Sequence, residues 1–334
     1  MSEVATCLEM QSTVPRRANI DEITEVIPAL EGASDIFTNA YPNWQARAAR
    51  GIFGGTLVAQ ALSAAHATVP PDFIIHSMHC HFILAAVAHS PMFYHVERIR
   101  DGKSFITRTV QVRQRGKCVF TATLSFTRER RGSSQNVEHV SLMPTEATIP
   151  MPGVTTYPAF PERESQPFES TLFTVTPASS PPEKRMRLWL RAINPNRDCG
   201  PSQQPAKRSS SDAVQQLQAQ LSALAFMTDG YFIDAIVRVH GLAPSEDYTK
   251  VKDGVSLANE NRVQMMVSLS HTIYFHNPHA VCADEWMLID VDSPWAGDER
   301  GLAVQRIWSK SGVLLATCFQ EGLIRLNQDS GPRL

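Results

Sequence analysis

The chain has 334 residues, with 31 basic and 33 acidic side chains, a net charge of -2 and a pI near 6.6. This balance gives no global field of the kind that attracts nucleic acid, so nucleic acid is not expected as a partner. A single hydrophobic core rarely serves more than about 250–300 residues, so two packed units are expected.

The N-terminal segment and the cysteines predict an intracellular protein without a membrane span. Residues 1–17 lack the apolar stretch of a signal peptide, and the longest apolar run, 82–88, is far shorter than the about 20 residues that cross a bilayer. The six cysteines are scattered without a CxxC pair, which is typical of reduced cysteines. The last three residues, Pro332-Arg333-Leu334, loosely match a peroxisomal address; without that address a cytoplasmic location is expected.

The first half of the chain reads as one helix followed by four strands. The Ala- and Leu-rich segment 51–69 has apolar residues three and four apart, which predicts a buried helix that starts at Gly54-Gly55. Alternating or β-branched segments follow, and the pairs Asp101-Gly102 and Arg115-Gly116 are hairpin signals that favour antiparallel pairing. The predicted strands are 73–84, 92–99, 104–114 and 117–127.

The second half repeats this order, with a predicted helix over 213–239 before its strands. Gly116 and Gly312 are separated by about 195 residues, the spacing that a tandem duplication would give. The predicted strands are 263–276, 285–292, 301–309 and 313–325, with one more at 186–192.

These patterns predict three segments. They are an N-terminal unit at 20–130, a proline-rich linker at 131–185, and a C-terminal unit at 186–330 with a polar, disordered insertion at 195–211. An apolar helix plus an antiparallel sheet, occurring twice, suits a helix wrapped by a curved sheet, because such a helix must be covered on nearly every side.

Six motifs occur in order along the chain. They are GIFGGTLVAQAL (51–62), IHSMHCHF (75–82), VERIRDGKSF (96–105), SHTIYFH (270–276), SPWAG (293–297) and QEGLIR (320–325). Together they resemble the type II acyl-CoA thioesterases of bacteria and peroxisomes. The resemblance implies an α+β fold of tandem, or double, hotdog units. It also implies hydrolysis of acyl-CoA to a free acid and CoA, a homodimer, and no cofactor, since CoA is part of the substrate.

The resemblance implies that Asp229, Ser268 and Gln320 are the catalytic residues. A thioester needs a delivered water and a stabilised oxyanion, while the CoA thiol, with a pKa of about 8.5, leaves without a strong acid. Asp229 would activate the water, and Ser268 and Gln320 would position it. From the residues alone, Asp229 could instead be a solvent-facing helix break, and Gln320 an ordinary strand residue. Ser268 and Ser270 share a strand face by period two, so spacing does not choose between them.

Further candidates follow from chemistry at the helix start and at the hairpin. The backbone N–H groups of Gly54 and Gly55 are oxyanion candidates because a helix N-terminus offers unpaired donors, although both glycines could serve close packing alone. Four basic residues could meet the CoA phosphates, although such charges are usually only solvated. They are Arg98, Arg100, Lys103 and Arg108. A metal site built from His76, His79 and His81 is not expected, because no acidic or Cys ligand stands nearby.

The sequence leaves two alternatives to a thioesterase. One is a hotdog hydratase or dehydratase acting on acyl thioesters, which would need a His beside the Asp, and His271 is the obvious neighbour. The other is a non-catalytic acyl-CoA-binding protein. Residues 83–89 depart from the family's usual turn, and Ser268 stands where Thr is commoner, so the acyl chain length is not indicated.

Overall fold

The computed structural model describes residues 19–29, 35–45, 51–129, 137–150, 167–171, 174–193, 210–242, 251–252, 255–256 and 263–327. Within these residues the helices are α1 (Ile20–Thr24), α2 (Gly54–His66), α3 (Ser210–Thr228) and α4 (Asp234–Arg238). The strands are β1 (Val26–Pro28), β2 (Ile36–Asn39), β3 (Phe73–Phe82), β4 (Phe93–Asp101), β5 (Phe105–Gln114), β6 (Lys117–Arg128), β7 (Phe168–Ser170), β8 (Thr174–Val175), β9 (Met186–Ala192), β10 (Val251–Lys252), β11 (Val255–Ser256), β12 (Val263–Phe275), β13 (Met287–Gly297), β14 (Arg300–Ser309) and β15 (Leu314–Leu326).

One antiparallel sheet holds most of these strands. Its order is β1-β2-β4-β5-β6-β3-β12-β15-β14-β13-β9-β7, with β8 paired to β9. The block β4-β5-β6-β3 and the block β13-β14-β15-β12 have the same order relative to the chain, and the two blocks meet where β3 pairs with β12. The strands predicted from alternation therefore all form, and the repeated order places the first strand of each block at the centre.

Helix α2 lies against the inner face of the first block and beside α3. It begins at Gly54 and ends before Pro70, as its apolar spacing predicts, and most of its side chains are buried. The hydroxyl groups of Ser63 and Ser222 meet at 2.9 Å, and Asp229 approaches Gly54. The two helices are thus antiparallel, with the end of α3 beside the start of α2.

The helix predicted over 213–239 is interrupted. The chain turns at 229–233, between α3 and α4, and Tyr231 adopts a φ of 59° in the left-handed region. A left-handed residue ends a helix, because the right-handed repeat cannot continue through it. Asp229 consequently follows α3 and does not lie inside a helix, and its carboxylate turns toward the protein.

A β-bulge in β12 changes which serine faces the core. Ser268 pairs with Gly322 and His271 with Gln320, whereas Ser270 pairs with Glu321. Directly paired residues share a face, so Ser268 and His271 lie on the inner face with Gln320, and Ser270 points the other way. The expectation that Ser268 and Ser270 share a face is therefore wrong, because the bulge adds one residue between them.

Several predictions concern segments that are only partly described. The insertion 195–211 lies outside the described residues except for 210–211, which begin α3, and the C-terminal tripeptide 332–334 lies wholly outside them. Cys80, Cys118 and Cys318 are free thiols, but Cys282 is disulfide-bonded, so the expectation of six reduced cysteines is wrong at that position. No helix of the described segments has the length and apolar character needed to cross a membrane.

Candidate active site

The structure brings Asp229, Ser268 and Gln320 into direct contact. Gln320 is fully buried, and its amide Nε2 donates to Asp229 Oδ1 at 2.5 Å and to Ser268 Oγ at 2.9 Å. An ionised carboxylate only accepts hydrogen bonds, so the amide nitrogen must face Asp229. Both N–H groups of that nitrogen are then used, and Gln320 holds the other two side chains in a fixed relation.

The environment of Asp229 makes its carboxyl group a competent base near neutral pH. Burial raises its pKa from 3.8 to about 7, although the hydrogen bonds from Gln320 and from the Gly55 backbone lower it. The residue as a whole keeps some accessible surface, as does Ser268. A carboxylate that is largely desolvated but still reachable can take a proton from water, and a solvent-facing helix break is excluded.

The start of α2 packs directly onto this carboxylate. The Gly55 N–H donates to Asp229, and a Cβ added at Gly54 would lie 2.6 Å from Asp229 Oδ2 and 2.9 Å from the Phe82 ring. A Cβ at Gly55 would collide with the Phe226 carbonyl oxygen. The glycines therefore permit close approach and also supply a donor, and in this structure the Gly55 donor serves the carboxylate and not a substrate oxygen.

Thr228 and His271 form a second polar contact beside Asp229. The sequence suggests His271 as a neighbour of Asp229, but it does not indicate the contact with Thr228. The Thr228 hydroxyl donates to the Ala225 carbonyl at 2.7 Å, so it must accept from His271 Nε2, which lies 2.9 Å away. Burial lowers the His271 pKa to about 3, and the ring is neutral. The register at the bulge places His271 opposite Gln320 and so brings the ring to the inner face, which the sequence does not signal.

The four basic candidates lie around the other end of α2. Arg108 is fully buried, and all five of its N–H groups are used. Their acceptors are Thr68 Oγ1, the backbone carbonyls of Thr68, Arg100 and Thr107, and Asp101 Oδ1. Arg108 therefore stabilises the C-terminal end of α2, and in this structure none of its N–H groups is left for a CoA phosphate.

The remaining basic candidates do not contact the Asp229 site in this structure. Arg98 forms an ion pair with Asp35 at 2.9 Å, with both side chains partly exposed. A cavity of about 470 Å³ lies here, lined by Arg98, Arg128 and the residues after α2. Thirteen residues of α2, about 20 Å of helix, separate this cavity from Asp229. Arg100 and Lys103 belong to the same hairpin region.

The arrangement offers groups that can activate and position a water molecule. In the described part of the chain, no three His, Cys, Asp or Glu residues are grouped so that they could bind one. The site instead has a carboxylate of raised pKa, an amide and a hydroxyl that fix its geometry, and a helix N-terminus beside it. These are the elements that water-mediated acyl transfer requires.

Over most of its length the chain is similar to known acyl-CoA thioesterases. Residues 41–127 match the model of the acyl-CoA thioesterase N-terminal domain, and residues 143–324 match that of the C-terminal domain. The chain is 33% identical over 284 residues to acyl-coenzyme A thioesterase 8 of Mus musculus. The aligned region covers 82% of this chain and 80% of the relative. It is also similar to the acyl-CoA thioesterase II TesB2 of Mycobacterium marinum, at 26% identity and a TM-score of 0.65, over 94% of this chain and 99% of the other.

A more distant structure identifies the type of fold. A hot dog fold protein from Alicyclobacillus acidocaldarius is 20% identical, with a TM-score of 0.61, and the match covers 92% of this chain and 98% of that one. The chain therefore has a hotdog-type fold. Together, the two domain matches and the identity across most of the chain show that it belongs to the acyl-CoA thioesterase family.

Proposed function

We propose that this acyl-CoA thioesterase hydrolyses acyl-CoA to a free carboxylic acid and CoA with Asp229 as the base. The observation that carries the proposal is that the Gln320 amide donates hydrogen bonds to both Asp229 Oδ1 and Ser268 Oγ. Gln320 sets the direction of the carboxylate, and Ser268 sets the direction of Gln320. The chemistry needs no cofactor, because a carboxylate and water suffice when the leaving group is a thiol.

The first step is attack by water on the thioester carbonyl carbon. Asp229 takes a proton from the water as the new C–O bond forms, and the carbonyl electron pair moves onto oxygen. Collapse of this tetrahedral adduct breaks the C–S bond and releases CoA as the thiolate. With a pKa of about 7, Asp229 binds the proton during attack and can release it afterwards.

The oxyanion is stabilised by groups at the start of α2 and at Ser268. The Gly55 N–H is engaged by Asp229, so Gly54 is the better placed of the two glycine candidates. Ser268 accepts from Gln320, which leaves its own hydrogen available to donate to a substrate oxygen. The positive end of the α2 dipole favours negative charge at this position.

The finer architecture is a tandem hotdog. Its support is the repeated strand order, with α2 packed on β4, β5 and β6 in the first block and α3 beside α2 in the second. A homodimer is the expected assembly, and the exposed aromatic side chains Tyr274 and Phe319, in edge contact on the outer face of β12 and β15, would suit an interface. A peroxisomal location would follow if the tripeptide 332–334 is a working address.

Release of CoA measured with acyl-CoAs of several chain lengths tests the proposal. Asp229→Asn should lower kcat/KM by about 10²–10⁴-fold, the usual contribution of a general base. Asp234→Asn is the matched control, because Asp234 pairs with Arg238 on α4 and should leave the rate nearly unchanged. Undiminished release by Asp229→Asn would overturn the assignment. Hydration of an enoyl-CoA without CoA release would favour the hydratase, whose His271 base is here neutral and bound to Thr228.

A further inference from the structure

Gln305 is a buried amide that folding alone does not explain. It lies in the middle of β14 with its side chain on the inner face, it is 0% exposed, and it pairs across the sheet with Val291 and Cys318. Neither amide atom has a hydrogen-bond partner among the described residues. An unpaired buried amide costs folding free energy, and Met would fill the same volume without that cost.

The other buried glutamines show that this is unusual for the chain. Gln60 donates to the Ile23 carbonyl and accepts from Tyr94, and Gln114 bonds three backbone groups of the 87–90 segment. Gln220 accepts from the Ala283 N–H, and Gln320 donates to Asp229 and Ser268. Each of these amides fastens separate elements or serves the candidate site. Gln305 does neither, which points to a role that the protein alone does not complete.

The sheet register places Gln305 next to the catalytic residues. Ala303 pairs directly with Gln320, and Gln305 lies two residues further along β14 on the same face. It is therefore a diagonal neighbour of Gln320, at a Cα separation of about 7–8 Å. Two further buried atoms without a hydrogen-bond partner lie on the same inner face: Gln320 Oε1 on the neighbouring strand β15, and His271 Nδ1 on β12, the strand beyond it.

The burial pattern also gives the direction of the substrate. Ser268, Phe82 and Asp229, on one side of Gln320, keep some accessible surface, whereas Gln305, Cys318 and Ile273, on the other side, are fully buried. The large and charged CoA moiety must lie on the accessible side. An acyl chain whose carbonyl carbon is at Asp229 would therefore run inward, past Gln305.

We propose that Gln305 is a specificity-determining residue, whose amide binds a hydroxyl or oxo group on the first few carbons of the acyl chain. This inference rests on the proposed function, since it assumes that Asp229 marks the thioester carbonyl. A side-chain amide both donates and accepts hydrogen bonds. It can therefore donate to and accept from a hydroxyl group, and it can donate to a keto oxygen through its N–H groups. A site with an unpaired buried amide disfavours a plain alkyl chain, which leaves that amide unpaired.

The test compares acyl chains that differ only in one oxygen. Rates of CoA release are measured for octanoyl-CoA, 3-hydroxyoctanoyl-CoA and 5-hydroxyoctanoyl-CoA. The wild-type kcat/KM is expected to be at least about 10-fold higher for one hydroxylated chain than for octanoyl-CoA. Gln305→Met should reduce this ratio to about one, by lowering the rate on the hydroxylated chain while leaving or raising the rate on octanoyl-CoA.

Two comparisons make the result decisive. Ile307→Met repacks the next inner-face position of β14 without touching an amide and should change all three rates by the same factor, so that the ratio is kept. A wild-type ratio at or below one, or an unchanged ratio in Gln305→Met, overturns the inference; the latter result would mean that the amide only fills space or holds an internal water. If Gln305→Met does not fold, the wild-type ratio decides by itself.

The outcome separates this inference from the proposed function. Hydrolysis of octanoyl-CoA that depends on Asp229 but shows no preference for an oxygenated chain would leave the catalytic assignment intact and remove the role of Gln305. Loss of the dependence on Asp229 would remove both. Hydrolysis that depends on Asp229, together with a preference for the hydroxylated chain that vanishes only in Gln305→Met, supports both.

Discussion

The pH dependence of hydrolysis should report the ionisation of Asp229 and its contact with Gln320. Asp229 acts as a base only when it is deprotonated, so kcat/KM should fall as the pH drops below about 7, the raised pKa of this carboxyl group. Gln320→Met removes the side-chain hydrogen bond that lowers this pKa while keeping similar volume. A hydrogen bond to a charged group contributes about 1.5–3 kcal/mol, and one pKa unit corresponds to about 1.36 kcal/mol. The half-maximal pH should therefore rise by about 1 to 2 units.

The assay follows loss of thioester absorbance between pH 5 and pH 10, under conditions that give kcat/KM directly. Gln220→Met is the matched control, because it also removes a buried amide of the second block but one that bonds Ala283 and not Asp229. Its half-maximal pH should remain near 7. A wild-type midpoint near 4, or a Gln320→Met midpoint equal to that of the wild type, would refute the assignment of the titrating group and of its partner.

Three other outcomes follow from the geometry. Gly54→Ala should lower kcat/KM by more than 10-fold while the chain still folds, because the new Cβ displaces the Asp229 carboxylate; kinetics and thermal unfolding together check this. Burial lowers the pKa of His66 to about 4, compared with 6.5 in the unfolded chain. The free energy of unfolding therefore decreases as the pH falls below 6.5, by about 2 kcal/mol at pH 5. In His66→Gln, the denaturation midpoint should change less between pH 7 and pH 5 than it does in the wild type. Asp229 has a raised pKa, so its stability contribution is lost as the pH rises through 7, and Asp229→Asn should raise Tm more at pH 8 than at pH 5.

Alternation predicts the strands well because burial on one face imposes a period of two. Strand β9 has the predicted bounds, and β5 differs by one residue from its prediction. The helix over 213–239 is overextended because apolar spacing continues through the turn at 229–233, although Gly230 signals a break. Local pattern cannot show that Tyr231 will adopt a positive φ, since tertiary packing selects that conformation.

The candidate site is harder to predict because its contacts join distant parts of the chain. Asp229 and Gln320 are 91 residues apart, and the motif resemblance, not periodicity, pairs them. The bulge that turns Ser268 inward and Ser270 outward has no clear signal in a strand of alternating serines. The alternation of apolar and polar residues also does not predict that the Gln305 amide faces inward, because a Gln between apolar residues is equally compatible with an exposed position.

Both blocks of the sheet are needed to complete this site. Asp229, the proposed base, follows α3, and Gln320 on β15 and Ser268 on β12 of the second block hold it in place. The N–H group that bonds its carboxylate and the glycine that makes room for it come from α2, beside the first block. The negative end of α3 and the positive start of α2 therefore meet at one carboxylate. Burial raises the pKa of Asp229, and the donors from Gln320 and Gly55 oppose that effect. A carboxylate buried in either block alone would lack one of these donors and would remain protonated to a higher pH, so a neutral-pH base requires the two blocks to pack together.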